Sequence, residues 1–292
     1  MTEPASPLAT VRSWPAVERP VLVVCLEGWV DAGMAAASAL SHLMGAMPHE
    51  LVATFDSDEL IDFRARRPTL RIVNGVDEEI RWPEIRLHAA TNRTGRTVLI
   101  LSGPEPDMRW HRFSAEVVAL ANRLEVELVV GLGAFPAPVP HTRPVRLVGT
   151  STRADLAAAV GFMTAGIEVP SGVQGALEVA FGSASIPSVG LWARVPHYVA
   201  AMPYPAAAAA LVDGLAKMAE IELDSSHLQA AATLTAQQIA ELISGSEEHT
   251  ALVRQLEEQH DREMPAGGPD FSNLPSGDEI AAELERFLRG EQ

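Results

Sequence analysis

The chain has 292 residues, of which 47% are hydrophobic and 21% are charged, with 22 basic and 38 acidic side chains and a net charge of −16. This composition supports a sizeable folded core and argues against wholesale disorder. The acidic excess argues against nucleic acid or an anionic membrane surface as the main partner.

The acidic charge is concentrated near the end of the chain. Residues 222–292 hold 15 acidic and 4 basic side chains. A solvated helical face is the ordinary explanation for such a segment, and a surface that attracts a basic partner is the alternative.

The chain shows no sign of export or membrane insertion. Its first residues, MTEPASPLATVRSWP, lack the features of a signal peptide, and no apolar run reaches the length of about 18 residues that indicates a membrane span. The single cysteine, Cys25, lies within an apolar run, so we expect a buried small hydrophobe and no internal disulfide. The expected compartment is the cytoplasm.

Strands and helices alternate over the first two-thirds of the chain. Mostly apolar runs, typical of parallel strands covered on both faces, predict strands at 21–28, 50–56, 97–103, 127–133 and 187–194. Helical patterns lie at 32–46, 110–124, 154–161, 172–183 and 205–221. Shorter runs at 69–73, 84–89 and 145–149 are predicted to extend the sheet or to form an edge hairpin. We therefore expect a layered α/β domain, a mostly parallel central sheet with helices on both faces.

Only helical patterns follow from about residue 225. Thr235 and Gln238 have the spacing of a capping box, Gly245 is a stop signal, and Ser246 is predicted to cap the next helix. The expected organisation is an N-terminal arm (1–19), the α/β domain (20–221), an acidic helical extension (222–264), a flexible linker (265–277) and a terminal helix (278–290). The apolar stripe of the terminal helix must dock on its own domain or on another subunit.

The segment CLEGWVDAG, residues 25–33, forms a turn between the first predicted buried strand and its helix. Asp31 is expected to accept backbone N–H groups at the start of that helix, and acid–base chemistry is the alternative. Gly28 and Gly33 are expected to permit the turn and close packing. Trp29 suits either a protein contact or a core position. Glu27 ends the strand and adds a second carboxylate.

Further polar side chains follow the other predicted strands, where ligands gather in parallel α/β sheets. The candidate residues in these interaction or ligand loops are Asp107, Arg109, Trp110, His141, Arg143, Arg194, His197 and Tyr198, accompanied by Glu105 and His111. Two of the loops follow similar sequences, VGLGAFPAPVPH and VGLWARVPH. The templates of a P-loop, a dinucleotide fingerprint, a nucleophile elbow and a zincin all fail, so no catalytic residue, metal site or cofactor is predicted.

Five segments in this order carry a family resemblance: EGWVDAG, SGPEPDMRWHRF, GLGAFPAPVPHTRP, PSGVQGAL and GLWARVPHYVAAMPYP. From about residue 20 to about residue 220, the chain resembles the bacterial branch of the second proteasome assembly chaperone family. The resemblance implies a three-layer α/β/α sandwich similar to the phosphorylase and hydrolase fold. It also implies self-association and possible proteasome subunits as partners.

Some archaeal relatives insert a terminal hydrophobic-Tyr-x tail into proteasome pockets. This chain ends in FLRGEQ, with Glu291 in the tyrosine position, so that mode of docking is not expected. Because the fold is shared with enzymes, the fold alone assigns no activity.

Two functions remain open at this point. The first is a non-catalytic assembly-chaperone-like protein that forms homo-oligomers, with a trimer favoured. In that case, Glu257, Glu258 and Asp261 are expected to steer a partner that Trp110 and Tyr198 anchor. The second is a nucleoside-like ligand-binding protein, hydrolase or phosphorylase, in which Arg109, Arg143 and Arg194 would have to converge on a phosphate.

Overall fold

The computed structural model describes residues 6–28, 30–162 and 166–262. The strands are β1 (Ala9–Val11), β2 (Val21–Glu27), β3 (His49–Phe55), β4 (Thr69–Val73), β5 (Val76–Arg81), β6 (Arg86–Thr91), β7 (Thr97–Pro104), β8 (Leu128–Ala137), β9 (Leu147–Thr150) and β10 (Ser188–Pro196). The helices are α1 (Ala35–Ala46), α2 (Ser57–Leu60), α3 (Trp110–Arg123), α4 (Ala154–Val160), α5 (Val173–Ser183), α6 (Pro205–Ala219), α7 (Ser226–Ser244) and α8 (Glu247–Arg262). The predicted linker and terminal helix, 265–290, lie outside the described residues.

Eight strands form the central sheet, in the order β1-β3-β6-β7-β2-β8-β10-β9. The four strands in its middle, β7, β2, β8 and β10, run parallel, and the outer strands are antiparallel to their neighbours. The two similar VGL sequences pair with each other in register, Val130 with Val189 and Leu132 with Leu191. Their loops therefore leave the sheet side by side.

Helices cover both faces of the sheet. One core joins the sheet to α1 and α6, and a second core on the opposite face joins it to α3 and α5. Side chains alternate between the two: Val23 and Cys25 of β2 face the first core, and Leu22 and Val24 face the second. The predicted α/β/α sandwich is confirmed. Ala9–Val11, within the expected N-terminal arm, adds β1 to one edge of the sheet.

The extension after the sheet consists of α7 and α8. Helix α7 begins at Ser226, so Thr235 lies inside the helix and the predicted capping box is wrong. The reason is that the preceding segment, LQAAATL, is rich in strong helix formers and continues the helix toward the N-terminus. The predicted cap on α8 is present, because the backbone N–H of His249 donates to Ser246 Oγ at 3.3 Å.

Strands β4 and β5 form a hairpin that is separate from the central sheet. The turn between them is Asn74-Gly75, and both residues have positive φ, 51° and 80°. This is the preferred sequence for a tight type I′ turn. The sequence analysis predicted β4 but missed β5, although the Asn-Gly pair signals a hairpin.

Candidate functional site at the strand ends

The loop after β2 is held in place by two sets of hydrogen bonds. The Asp31 carboxylate accepts the backbone N–H groups of Ala36, at 2.8 Å, and Ala37, at 3.0 Å, near the start of α1. Gly33, at φ 65°, donates to Ala200 O at 2.7 Å and accepts from Tyr204 N at 2.8 Å. The Asp31 contacts are those of the predicted helix cap. The Gly33 hydrogen bonds join the loop to the segment that follows β10.

Gly33 also makes a close approach that a side chain would prevent. A Cβ atom at this position would lie 2.7 Å from Tyr204 Cβ. Glycine adopts the positive φ without strain, and its lack of a Cβ atom lets the loop pack directly against Tyr204. Both agree with the turn and close packing that the sequence predicted for Gly33.

We expect replacement of Asp31 by alanine to lower the free energy of unfolding by about 0.5–2 kcal/mol, because two N–H groups of α1 lose their acceptor. Asp31→Asn keeps one acceptor oxygen and should lose less. Urea unfolding of the two variants tests this order. If both variants kept full stability, the carboxylate would not act as a cap.

A cleft of about 50 Å³ opens beside this loop, at the carboxyl ends of β2, β7 and β8. Its polar lining residues are Glu27, Asp31, Glu105 and Gln174, and the Trp192 ring adds an aromatic wall. Among the residues that the structure describes, the lining contains no arginine or lysine. Trp29, the other candidate in this loop, lies outside the described residues.

Glu105 is the most enclosed carboxylate of the cleft, with 7% of its surface exposed. Its Oε1 accepts the N–H of Val173 at the start of α5, at 2.7 Å. Its Oε2 lies against Gly28, where a Cβ atom would come within 2.0 Å. Gly28 therefore makes room for the buried acid, a role that the sequence did not reveal.

A second buried acid, Glu178 of α5, lies next to the Trp192 ring. The Trp192 Nε1–H donates to Thr150 Oγ1 at 3.0 Å, and the Thr150 hydroxyl donates to Glu178 Oε1 at 2.9 Å. Burial raises the pKa of Glu178 to about 7, and the hydrogen bond from Thr150 opposes that rise. The sequence analysis missed this group, because nothing in VQGALEVAFGS distinguishes a buried glutamate from a solvated one.

The loops after β8 and β10 meet at Tyr198. Its hydroxyl accepts the backbone N–H of His141 at 2.8 Å and lies 2.8 Å from His141 Nδ1. The ring of Tyr198 also packs edge-on against both His141 and the exposed His197. Burial lowers the pKa of His141, and its Nε2 atom has no hydrogen-bond partner among the described residues. The two similar loops thus form one aromatic cluster.

Ion pairs and hydrogen bonds hold helix α8 against this cluster. Arg143 donates to Asp261 at 2.9 and 2.7 Å and to Glu257 at 3.2 Å, and Thr142 also donates to Glu257. The third acid predicted to steer a partner, Glu258, pairs with Arg262 at 3.4 Å. Glu257 and Asp261 share the single positive charge of Arg143, so these three side chains together keep a net charge of −1, and the steering role stays a prediction.

The remaining candidates also make internal contacts. Trp110 is partly buried, and its Nε1–H donates to Pro106 O at 2.6 Å. Asp107 accepts the N–H of Asp62 at 2.8 Å and pairs with Arg66 at 3.1 Å. These contacts assign Trp110 and Asp107 to the support of the loop before α3.

The three candidate arginines do not meet at one place, although Arg143 and Arg194 line the same gap. Arg109 pairs with Glu59 at 3.2 Å, near α2, and Arg143 holds α8. Arg194 is buried, and together with Arg143 it lines a narrow gap beside Tyr204 and His260, away from the cleft. The phosphate site required by the enzyme alternative is therefore not assembled from these residues.

No group of three or more His, Cys, Asp or Glu side chains within residues 6–28, 30–162 and 166–262 is placed to hold a metal ion. Over the same ranges, no helix has both the length and the apolar character needed to cross a membrane.

Fold and site together define an α/β/α sandwich protein whose strand ends form an acidic cleft beside an aromatic loop cluster. The chain belongs to the PAC2 family, whose model matches residues 25–243. No curated protein matches it.

The chain is similar to several solved structures of actinobacterial proteins. A Corynebacterium glutamicum protein of unknown function is 35% identical, with a TM-score of 0.84, and the match covers 88% of this chain and 98% of that one. A Mycobacterium tuberculosis protein of unknown function is 36% identical, with a TM-score of 0.81 and coverage of 91% and 96%. A proteasome-assembly chaperone homologue from the same organism is 36% identical, with a TM-score of 0.75 and coverage of 80% and 99%.

Proposed function

We propose that this chain is a non-catalytic, assembly-chaperone-like protein that binds proteasome-type subunits and acts as a homo-oligomer in the cytoplasm. The observation that carries the proposal is the 36% identity to a proteasome-assembly chaperone homologue, over nearly the whole of that protein. The trimer favoured by the sequence analysis remains part of the proposal.

The electrostatics of the cleft support a binding protein over a phosphate-dependent enzyme. Glu27, Asp31 and Glu105 line the cleft, and the described lining supplies no cation to offset them. A phosphate group would meet three carboxylates at close range, which disfavours its binding. The nucleoside phosphorylase alternative therefore loses the convergent arginines on which it depended.

Exposed apolar side chains surround the same edge of the molecule. Met34 follows β2, Met108 follows β7, and Val169 precedes α5, and each of the three is at least 41% exposed. A few anchor residues that become buried in the contact supply most of the affinity of protein interfaces. We infer that a client protein docks on this edge through these three side chains, which are more accessible than Trp110 and Tyr198.

Affinity capture of the tagged chain from its native cell, followed by mass spectrometry, tests this function. We expect proteasome subunits to be enriched, and we expect Met108→Asp combined with Val169→Asp to reduce their recovery at least about tenfold, because the apolar contact is lost. Leu234→Asp, which changes an exposed apolar residue of α7 (62% exposed), is the matched control and should capture normally. Capture without proteasome subunits would reject the proposed client, and equal recovery by all variants would reject the docking edge.

A further inference from the structure

The cleft at the strand ends gathers three carboxylates without a neighbouring cation. Glu27 ends β2, Asp31 lies in the loop after it, and Glu105 follows β7, and the described lining holds no arginine, lysine or histidine. The negative charge reaches the base of the cleft, because burial, followed by the charges of Asp31 and Glu27, raises the pKa of the Cys25 thiol to about 12. The cleft therefore has the electrostatics of a receptor for a positive group.

Glu105 is the acid that most requires a partner. Only 7% of its surface is exposed, and its Oε1 accepts the N–H of Val173 at 2.7 Å. Its Oε2 accepts no hydrogen bond from the described residues. That oxygen lies beside Gly28 and Gly172 of the cleft lining, where Cβ atoms would come within 2.0 and 3.5 Å of it. A buried carboxylate oxygen without a donor is costly, so the free oxygen calls for a donor that enters the cleft from outside.

The far side of the cleft is aromatic. The acids come from the ends of β2 and β7, whereas Trp192 belongs to β10, which lies beyond β8 in the sheet. The Trp192 Nε1–H donates to Thr150 Oγ1 at 3.0 Å, and a Cβ atom at Gly133 would lie 2.4 Å from the ring. The ring is therefore held in place. Aromatic faces attract organic cations, and more strongly where water is excluded.

The chemistry of the cleft fits a guanidinium group. Within the described residues, no set of three or more His, Cys, Asp or Glu side chains is placed to hold a metal ion. A guanidinium is planar, stacks on aromatic rings, loses its hydration more readily than an ammonium group and carries five N–H donors. The volume of about 50 Å³ exceeds the roughly 10–15 Å³ that one water needs, so a group of several atoms can enter.

The rim of the cleft indicates that this cation belongs to a protein. Met34, Met108 and Val169 expose apolar side chains at the same edge. A free small cation would leave them in water, whereas a chain segment that carries an arginine would cover them while its side chain enters the cleft. Arginine is also enriched among the residues that dominate the affinity of protein interfaces.

We propose that the cleft receives an arginine side chain of the client, with its guanidinium stacked on Trp192 and hydrogen-bonded to Glu105 Oε2. Glu27 and Asp31 supply the remaining negative charge. This inference rests on the proposed function, because the client provides the arginine, and it adds a specific anchor to the apolar docking edge.

Isothermal titration calorimetry of the purified full-length chain with N-acetyl-arginine methylamide tests the proposal. This probe carries one positive charge and resembles an arginine within a chain. We expect Glu105→Gln to weaken its binding at least about tenfold, because a charged acceptor is lost while the shape is kept. Glu27→Gln, at an exposed position, should weaken binding about fivefold through charge alone. Circular dichroism confirms that each variant remains folded.

The controls separate charge from shape. N-acetyl-citrulline methylamide, a neutral analogue of the same shape, should bind at least about tenfold more weakly than the arginine probe. The lysine analogue should also bind more weakly, because its ammonium neither stacks on the ring nor sheds water as readily. Glu241→Gln removes the same charge from the exposed face of α7 and should bind the arginine probe normally.

The proposal would be overturned if the folded wild-type chain did not bind the arginine probe, if the citrulline probe bound equally well, or if both acid variants kept full affinity. Equal binding of the lysine analogue would overturn the assignment to arginine. The measurement uses the pure chain and a small probe, so it does not depend on the capture of proteasome subunits. Probe binding as expected without captured subunits would support the cleft as an arginine receptor and reject the proposed client.

Discussion

Replacing Gly103 by alanine is expected to lower the free energy of unfolding by about 3 kcal/mol or more, a large part of the stability of an ordinary domain. Gly103 lies near the end of β7 with φ at 125°, a conformation that side-chain-bearing residues rarely adopt. A Cβ atom there would lie 2.3 Å from Glu84 O and 2.9 Å from Ile85 Cα. Both obstacles are backbone atoms just before β6, so the sheet itself would have to move. Urea unfolding measures the loss.

The matched control is Gly95→Ala, in the turn between β6 and β7. Gly95 also has a positive φ, 84°, but a Cβ atom there would meet nothing within 4 Å. Its replacement should cost only the conformational strain, about 1 kcal/mol. The difference between the two variants isolates the close approach at Gly103. If both variants lost the same free energy of unfolding, the backbone of β6 and β7 would be able to shift at little cost. The wall of the cleft that carries Glu105 would then be less rigid than its contacts indicate.

The architecture could be predicted from the sequence because long apolar runs report burial on both faces. The continuous apolar runs VLVV in β2 and VLIL in β7 are typical of strands at the centre of a parallel sheet that is covered on both faces. The hairpin was harder to predict, because β5, with the sequence VDEEIR, contains three acids and packs against no core. Strand propensity and apolar periodicity both arise from the burial of side chains. A strand that is exposed on both faces is therefore hard to recognise from either.

The candidate site was predictable only in part. Asp31 could be assigned as a cap because capping depends on residues that are neighbours in sequence. Glu105 and Glu178 acquire their surroundings from elements far away along the chain, Glu105 from Gly28 and Val173, and Glu178 from Thr150. The pairing of Arg143 with α8 joins residues more than a hundred positions apart. Sequence patterns carry no information about such contacts, so the sequence left open whether the three arginines converge.

Glu178 places an ionisable group where its charged form is poorly solvated. The residue belongs to α5 and is buried between that helix and the sheet, where a Cβ atom at Gly190 of β10 would lie 2.4 Å from its Oε1. The pKa of Glu178 is raised from 4.5 to about 7, chiefly by burial. A folded-state pKa above the unfolded value means that the folded protein holds this proton more tightly, so stability from this group is fully present below pH 4.5 and is lost as the pH rises to about 7.

We expect Glu178→Gln to remove this loss, because the amide stays neutral at every pH and its oxygen still accepts the hydroxyl of Thr150. The stability of the variant relative to wild type should increase by about 3 kcal/mol between pH 4.5 and pH 7 and then remain constant. Urea unfolding across this range measures the difference. Burial also lowers the pKa of His88 and of His141, so wild-type stability alone mixes several titrations, but both histidines are common to the two proteins and their contributions cancel. Glu241→Gln, on the exposed face of α7, is the matched control and should show no such rise. A flat difference for Glu178→Gln would mean that its carboxylate is solvated in the folded state and that the space under α5 is open to water.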